Sequence, residues 1–175
     1  MFHVWESFYV TLGSASAGLI GLMFVVTTLT AGYERSKAMR GARLYLTPVV
    51  LHFATVLSMS AVALAPAPSV TVQAALFAVI GLVGVGNTAL VAADIHASEI
   101  PHWSDFWCYG AVPAAAYAAL IAVSIGLWAA QLWAPWAMAG LALGPLLLSI
   151  RNAWDLVTWM TPHREDGEGA TPPSA

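Results

Sequence analysis

Long uncharged runs separated by short polar or proline-rich interruptions dominate this sequence. From Ser7 to Tyr33 no residue carries a charge, and roughly 20 apolar residues are enough to cross about 30 Å of hydrocarbon as a helix. The pattern predicts a first span at about Phe8 to Thr30. A second uncharged stretch, between Arg43 and Asp94, is long enough for two crossings and is broken by Ala65-Pro66-Ala67-Pro68-Ser69. Two prolines so close together mark a turn, which gives helices at about Leu44 to Ala65 and Val70 to Ala93. Between Asp105 and Arg151, Gln131-Leu132-Trp133-Ala134-Pro135 divides the run into about Trp107 to Ala130 and Trp136 to Met160. The expectation is an all-α polytopic transmembrane bundle of five helices, with residues 1–160 as a single transmembrane domain. The tail 161–175, polar and rich in proline and glycine, is expected to be disordered.

Composition agrees with the span count. The chain is 59% hydrophobic and 9% charged, against about 25% charged residues in a soluble domain, so polar surface is too scarce to coat a water-facing globule. No basic patch for nucleic acid is present. The opening Met1-Phe2-His3-Val4-Trp5-Glu6 lacks the basic start of a secretory signal, so the first hydrophobic stretch is expected to persist in the protein. One cysteine, Cys108, makes neither an intramolecular disulfide nor a cysteine metal cluster.

Charge placement predicts orientation. Five spans put all six cations, Arg35, Lys37, Arg40, Arg43, Arg151 and Arg164, on one side. The positive-inside rule makes that side cytoplasmic, with the N-terminus outside and the C-terminus inside. The eight tryptophans all fall near predicted span ends, where an apolar ring with one polar N–H sits best.

In lipid, helices associate through close backbone approach more than through hydrophobicity. Gly13, Ala17 and Gly21 provide small residues at four-residue spacing on the first helix, and Gly140 and Gly144 do so on the fifth. They read as helix-packing positions, within one subunit or at a homo-oligomer seam. Pro48, Pro113 and Pro145 are expected to kink helices two, four and five. Pro48 and Pro113 begin corresponding helices, and Asn87 and Asn152 share an offset in the helices that follow. This hints at a tandem two-helix repeat in parallel orientation.

Ionisable and amide groups at membrane depth are the candidates for function. His52 lies inside helix two, Asn87 and Asp94 share a stripe of helix three, and Arg151 and Asp155 have i,i+4 spacing with Asn152 beside them. All six fall in the predicted cytoplasmic half and are expected to converge on one inward-facing polar cavity. The outer half offers chiefly Thr55, Ser58, Ser60, Gln73 and Ser124, which argues against a continuous polar pore through one subunit. His52 is the natural titrating group, because imidazole ordinarily titrates near physiological pH. The plainer alternative gives His52 one interhelical hydrogen bond and makes Arg151 and Asp155 an interfacial pair.

No cofactor is called for. A metal needs three or four converging ligands and only His52 lies comfortably within a span; haem lacks a second deep histidine. Gly81, Gly84 and Gly86 read as helix-packing glycines, since no strand precedes them. Without a nucleophile constellation or paired deep acids, the chain does not read as an enzyme.

Trp5-Glu6 with Phe8-Tyr9, Gly21-Leu22-Met23-Phe24-Val25, Thr47-Pro48-Val49-Val50 with His52-Phe53, and Asn152-Ala153-Trp154-Asp155 resemble a family of small, uncharacterised bacterial polytopic integral membrane proteins. The resemblance implies the same helical architecture, a multi-pass setting in the bacterial inner membrane, and no established activity. Two functional expectations follow. One is a channel- or transporter-like homo-oligomer with a cytoplasm-facing polar cavity for protons or small cations. The other is a non-catalytic scaffold or modulator of a larger membrane protein complex. The partners are then the lipid bilayer and either further copies or another membrane protein.

Overall fold

The computed structural model describes residues 2–30, 47–66, 69–96 and 106–160. The basic loop Arg35 to Arg43 and the tail 161–175 lie outside the described residues, as do His102 and the side chains of Asp94 and His96. Among the described residues there are five α-helices and no strand: α1 (Glu6–Thr30), α2 (Thr47–Leu64), α3 (Val70–His96), α4 (Val112–Trp128) and α5 (Ala134–Met160). A 3-10 turn, His3–Trp5, leads into α1, and a π-helical turn, Phe106–Ala111, leads into α4.

Four stretches, His3–Thr28, Thr47–Leu64, Val70–Ala93 and Ala134–Asp155, are long and apolar enough to cross a membrane. The chain is an integral membrane protein. α4 alone has 17 residues, a rise of about 26 Å, and the π-turn before it adds length. Much of the large hydrophobic surface faces outward, including Leu22, Phe24, Val79, Leu82, Leu90 and Leu147. Such exposure suits hydrocarbon, where a leucine gains little by turning inward.

α2, α3, α4 and α5 form a ring in which each helix packs on the next and α5 closes onto α2, while α1 lies against α2 and touches α5. Short connections make neighbours antiparallel. At one end of the bundle, the near end, Trp5 meets Trp136 edge to face with ring centroids 4.6 Å apart. The α2–α3 and α4–α5 turns lie at that end. The far end holds the last turn of α1 and the first of α2.

The α4–α5 turn closes by backbone bonding. Gln131 N–H donates to Gly126 O and Ala130 N–H to Leu127 O, both at 3.0 Å, with Ala130 in the left-handed region at φ 54°. This pairing satisfies the last carbonyls of α4 in the manner of a Schellman cap, although glycine usually holds the left-handed position.

The prolines behave differently from one another. Pro113 sits at the first turn of α4, directly after the π-turn, rather than inside the helix; its missing N–H is tolerated there and the expected mid-helix kink is replaced by the change in helix type. Pro48 is the second residue described in α2, while Pro145 is internal to α5.

The hinted repeat extends through the whole ring. α2 begins at Thr47 and α4 at Val112, 65 positions later, and α3 and α5 begin at Val70 and Ala134, within one residue of the same interval. Burial follows that interval on one face of each helix. Pro48, His52, Thr55 and Met59 are buried on α2, and so are Pro113, Tyr117, Leu120 and Ser124 on α4, whereas Val49, Phe53, Val56, Ser60 and Ala63, also buried on α2, have half-buried or exposed counterparts. On α3, Gln73, Ala74, Phe77, Gly81, Gly84 and Thr88 are buried; all six counterparts on α5, Met138, Ala139, Ala142, Leu146, Ser149 and Ala153, are buried too. The ring is two like-oriented helix pairs facing each other, with α1 added outside.

Candidate functional site

The two halves of the ring meet at His52 and Tyr117, which occupy the same place in their repeats. Their rings stack with centroids 5.6 Å apart and planes 24° apart. Tyr117 is held from two sides. Its hydroxyl shares a 3.2 Å hydrogen bond with Thr55 Oγ1. Its ring lies so close to α3 that a Cβ on Gly84 would collide with it, and a Cβ on Gly81 would stand 3.1 Å from the Tyr117 carbonyl oxygen.

Across the ring the same stations hold more polar groups. The counterpart of Tyr117 is His52, and the counterpart of Gly84 is Ser149. His52 is only 2% exposed, and among the described residues neither ring nitrogen has a hydrogen-bond partner; the Ser149 hydroxyl likewise has none among them. A neutral imidazole carries one donor and one acceptor. Leaving a buried polar group unsatisfied costs about 1–3 kcal/mol.

These atoms belong to a longer series. Tyr9 Oη, Ser16 Oγ, Ser60 Oγ and Asn87 Nδ2 are also buried with no hydrogen-bond partner among the described residues. Measured along their helices from the near end, Tyr9 and Ser60 lie at about 5 and 6 Å and Ser16 at about 15 Å, at 1.5 Å per residue. On the same scale His52, Ser149 and Asn87 follow at about 18, 22 and 26 Å. Several other hydroxyls in the spans bond back to their own helix, Thr11 to Ser7 O at 2.8 Å, Thr88 to Gly84 O at 3.0 Å and Ser124 to Leu120 O at 2.7 Å. The series stands apart because its polar atoms do not.

At the near end lies a recess of about 440 Å³ lined by His3, Glu6, Pro66, Val70 and Gln73, among others. Gln73 is buried and donates through Nε2 to Val62 O at 3.4 Å.

The six polar residues singled out in the sequence do not share one surface. His52 faces inward with Asn152, which is fully buried on α5 at the counterpart of half-buried Asn87. Arg151 and Asp155 pair at 3.6 Å with side chains 58% and 54% exposed, on an outward stripe of α5 that also carries Trp136, Gly140, Gly144 and Leu147. A pair that open is worth about 0–1 kcal/mol. Asp94 lies near the end of α3.

The small residues divide similarly. A Cβ at Gly13 would stand 3.1 Å from Ser60 Cβ, so Gly13 sets the α1–α2 approach. Gly21, Gly140 and Gly144 have open space where a Cβ would stand, and Ala17 is exposed. The close approaches within the chain instead use Gly81, Gly84 and Gly126, the last beneath the Trp133 ring.

Sequence reasoning passed over Tyr9, Ser16, Tyr117 and Ser149. Tyr9 and Ser16 stand seven residues apart on one face of α1, a signal that hydroxyl spacing would have revealed. Tyr117 and Ser149 emerge only from the pairing of the two halves.

Set against family models, curated proteins and solved structures, the chain finds no match. The site therefore rests on its own geometry. Among the described residues no group of three or more His, Cys, Asp or Glu could hold a metal ion.

Proposed function

We propose that this protein is a channel- or transporter-like protein of the bacterial inner membrane that passes protons or small cations along the inner face of α2, with His52 as the titrating group. The N-terminus faces outward and the C-terminus the cytoplasm, as the six cations require. One observation carries the reading: a set of buried polar atoms with no hydrogen-bond partner among the described residues, on Tyr9, Ser60, Ser16, His52, Ser149 and Asn87, at successive depths along their own helices. Polar groups at membrane depth are costly unless a ligand, ion or water completes them. A row that continues through both halves of the bundle supports passage better than an isolated buried histidine would. The row also revises the argument against a polar path through one subunit, because the near half contributes Tyr9, Ser16 and Ser60.

Copies of the chain assemble through the outward face of α5, where Gly140 and Gly144 leave open space. That same face favours a second reading, a scaffold that docks another membrane protein there.

The test is proton and cation flux into liposomes containing the purified chain, with His52→Ala alongside. Flux that falls at least tenfold in His52→Ala, from protein that inserts and melts normally, supports passage. Absence of flux for every ion from folded protein overturns it in favour of the scaffold. Reporter fusions at Ser69 and at the C-terminus test orientation; a tail reporter facing the periplasm would overturn it.

A further inference from the structure

α1 has no counterpart in the second half of the ring among the described residues. It lies against α2 and touches α5. A Cβ at Gly13 would stand 3.1 Å from Ser60 Cβ, and Trp5 meets Trp136 at 4.6 Å. The interval of 65 positions between α2 and α4 carries these two stations to Ile125 on α4 and Thr71 on α3. Ser60 belongs to the buried stripe Val49, Phe53, Val56, Ser60 and Ala63, whereas the counterpart stripe, Ala114, Ala118, Ile121, Ile125 and Trp128, is half-buried or exposed throughout. Ile125 and Trp128 are 61% and 64% exposed. With Thr71, Ala75 and Ala78 they line an open groove of about 230 Å³ between α3 and α4.

The groove is therefore the seat of α1 repeated in the other half, and the occupant of the first seat defines what fits the second. It is an apolar helix that runs from the near end to the far end, antiparallel to the helix beneath it, and brings a small residue to the Ile125 station. α5 of a second copy meets each condition. It begins at the near end, so in copies inserted alike it runs parallel to α1. Gly140 lies about 9 Å along α5 and Gly13 about 10 Å along α1, and Gly144 follows Gly140 as Ala17 follows Gly13. Gly140 and Gly144 have open space where a Cβ would stand, so the chain holds a seat without a helix and a helix face without a seat. We propose that α5 of one copy seats in the α3–α4 groove of the next, with Gly140 against Ile125 as Gly13 lies against Ser60. This contact rests on the assembly through α5 proposed above and supplies its complementary surface. Because the two surfaces differ, the contact is head-to-tail: each copy donates one α5 and accepts another.

The experiment uses two tagged forms of the full chain, both with Cys108→Ser, co-expressed in one membrane. One carries Ile125→Cys and the other Gly140→Cys. Oxidation should join the two tags in a disulfide-linked dimer, since the bond forms only where Cα atoms come within about 7 Å. Leu90→Cys in place of Ile125→Cys, exposed toward the other end of α3, should give none. Filling the groove at exposed Ala75 with Ala75→Trp, or with the milder Ala75→Leu if the first fails to insert, should weaken the dimer about tenfold and leave the melting of the monomer unchanged. A Gly140–Gly140 or Ile125–Ile125 disulfide in place of the mixed one, equal crosslinking at Leu90, or an undiminished mixed dimer in the filled groove would each overturn the proposal while leaving copies in contact. Ile125→Cys joined only to a protein of different mass would give the groove to another membrane protein and overturn it too. Folded chains that stay monomeric, with no disulfide at any of these positions, would overturn both this contact and the assembly of copies.

Discussion

His52 and Tyr117 stand at equivalent positions in the two halves of the ring and stack on each other at 5.6 Å. One of the pair is fully anchored and the other is not. Tyr117 is clamped between Thr55 and the glycine face of α3, whereas neither nitrogen of His52 has a hydrogen-bond partner among the described residues. An architecture that repeats itself thus carries a rigid half and a chemically open half.

The Thr55–Tyr117 hydrogen bond should be modest. Interhelical hydrogen bonds in membranes average about 0.6 kcal/mol, so Tyr117→Phe should lower stability by about 0.6–1 kcal/mol, with the unpaired Thr55 hydroxyl adding to the loss. Thr55→Val made in the Tyr117→Phe background should cost less than it does alone. Strict additivity in thermal melts of the four proteins would show that the bond contributes nothing.

Glycine substitutions should separate sharply by position. Gly84→Ala forces a methyl group into the Tyr117 ring and should destabilise by about 1–3 kcal/mol, the usual penalty for overpacking. Gly140→Ala and Gly144→Ala meet open space within the chain and should change monomer stability by less than about 0.5 kcal/mol, or raise it through better helix propensity. Melting temperature reads the first effect. A loss of oligomer on crosslinking, with unchanged melting of the monomer, would mark the second pair as a seam between copies.

Ala130→Gly should stabilise the protein. Ala130 holds a left-handed conformation in the α4–α5 turn, which L side chains adopt at a cost of about 1–2 kcal/mol. Glycine removes that strain but loses more entropy on folding, leaving an expected gain of about 0.5 kcal/mol. A lower melting temperature in this variant would contradict the cap geometry.

Ser149→Ala separates function from stability. The Ser149 hydroxyl is fully buried and has no hydrogen-bond partner among the described residues, so deleting it should leave stability unchanged or raise it by up to about 1 kcal/mol. If Ser149 serves the same ligand as His52, flux should nevertheless fall several-fold. A variant that is both more stable and equally active would remove Ser149 from the row.

Pattern alone was sufficient for the spans because it answers to one force. A backbone in hydrocarbon must satisfy its own polar groups, so uncharged runs become helices and proline-bearing interruptions become turns. α3 begins at Val70 as expected, and α5 begins at Ala134, two residues from the expected Trp136. Pro48, Pro113, Asn87 and Asn152 already suggested the repeat, and His52, singled out within helix two, is buried there. Periodicity does not say which face of an apolar helix turns inward when lipid and protein interior are equally apolar. Arg151 and Asp155 therefore lie on the outward stripe of α5, while Asn152 beside them is buried. Gly81, Gly84, Gly86, Gly140 and Gly144 all read as packing glycines in the sequence, yet only Gly81 and Gly84 among them make a close approach within the chain. The polar row, too, is a tertiary fact: Tyr9, Ser16, His52, Asn87 and Ser149 come from four helices, and only their packing decides which hydroxyls bond back to their own backbone and which are left open inside the membrane.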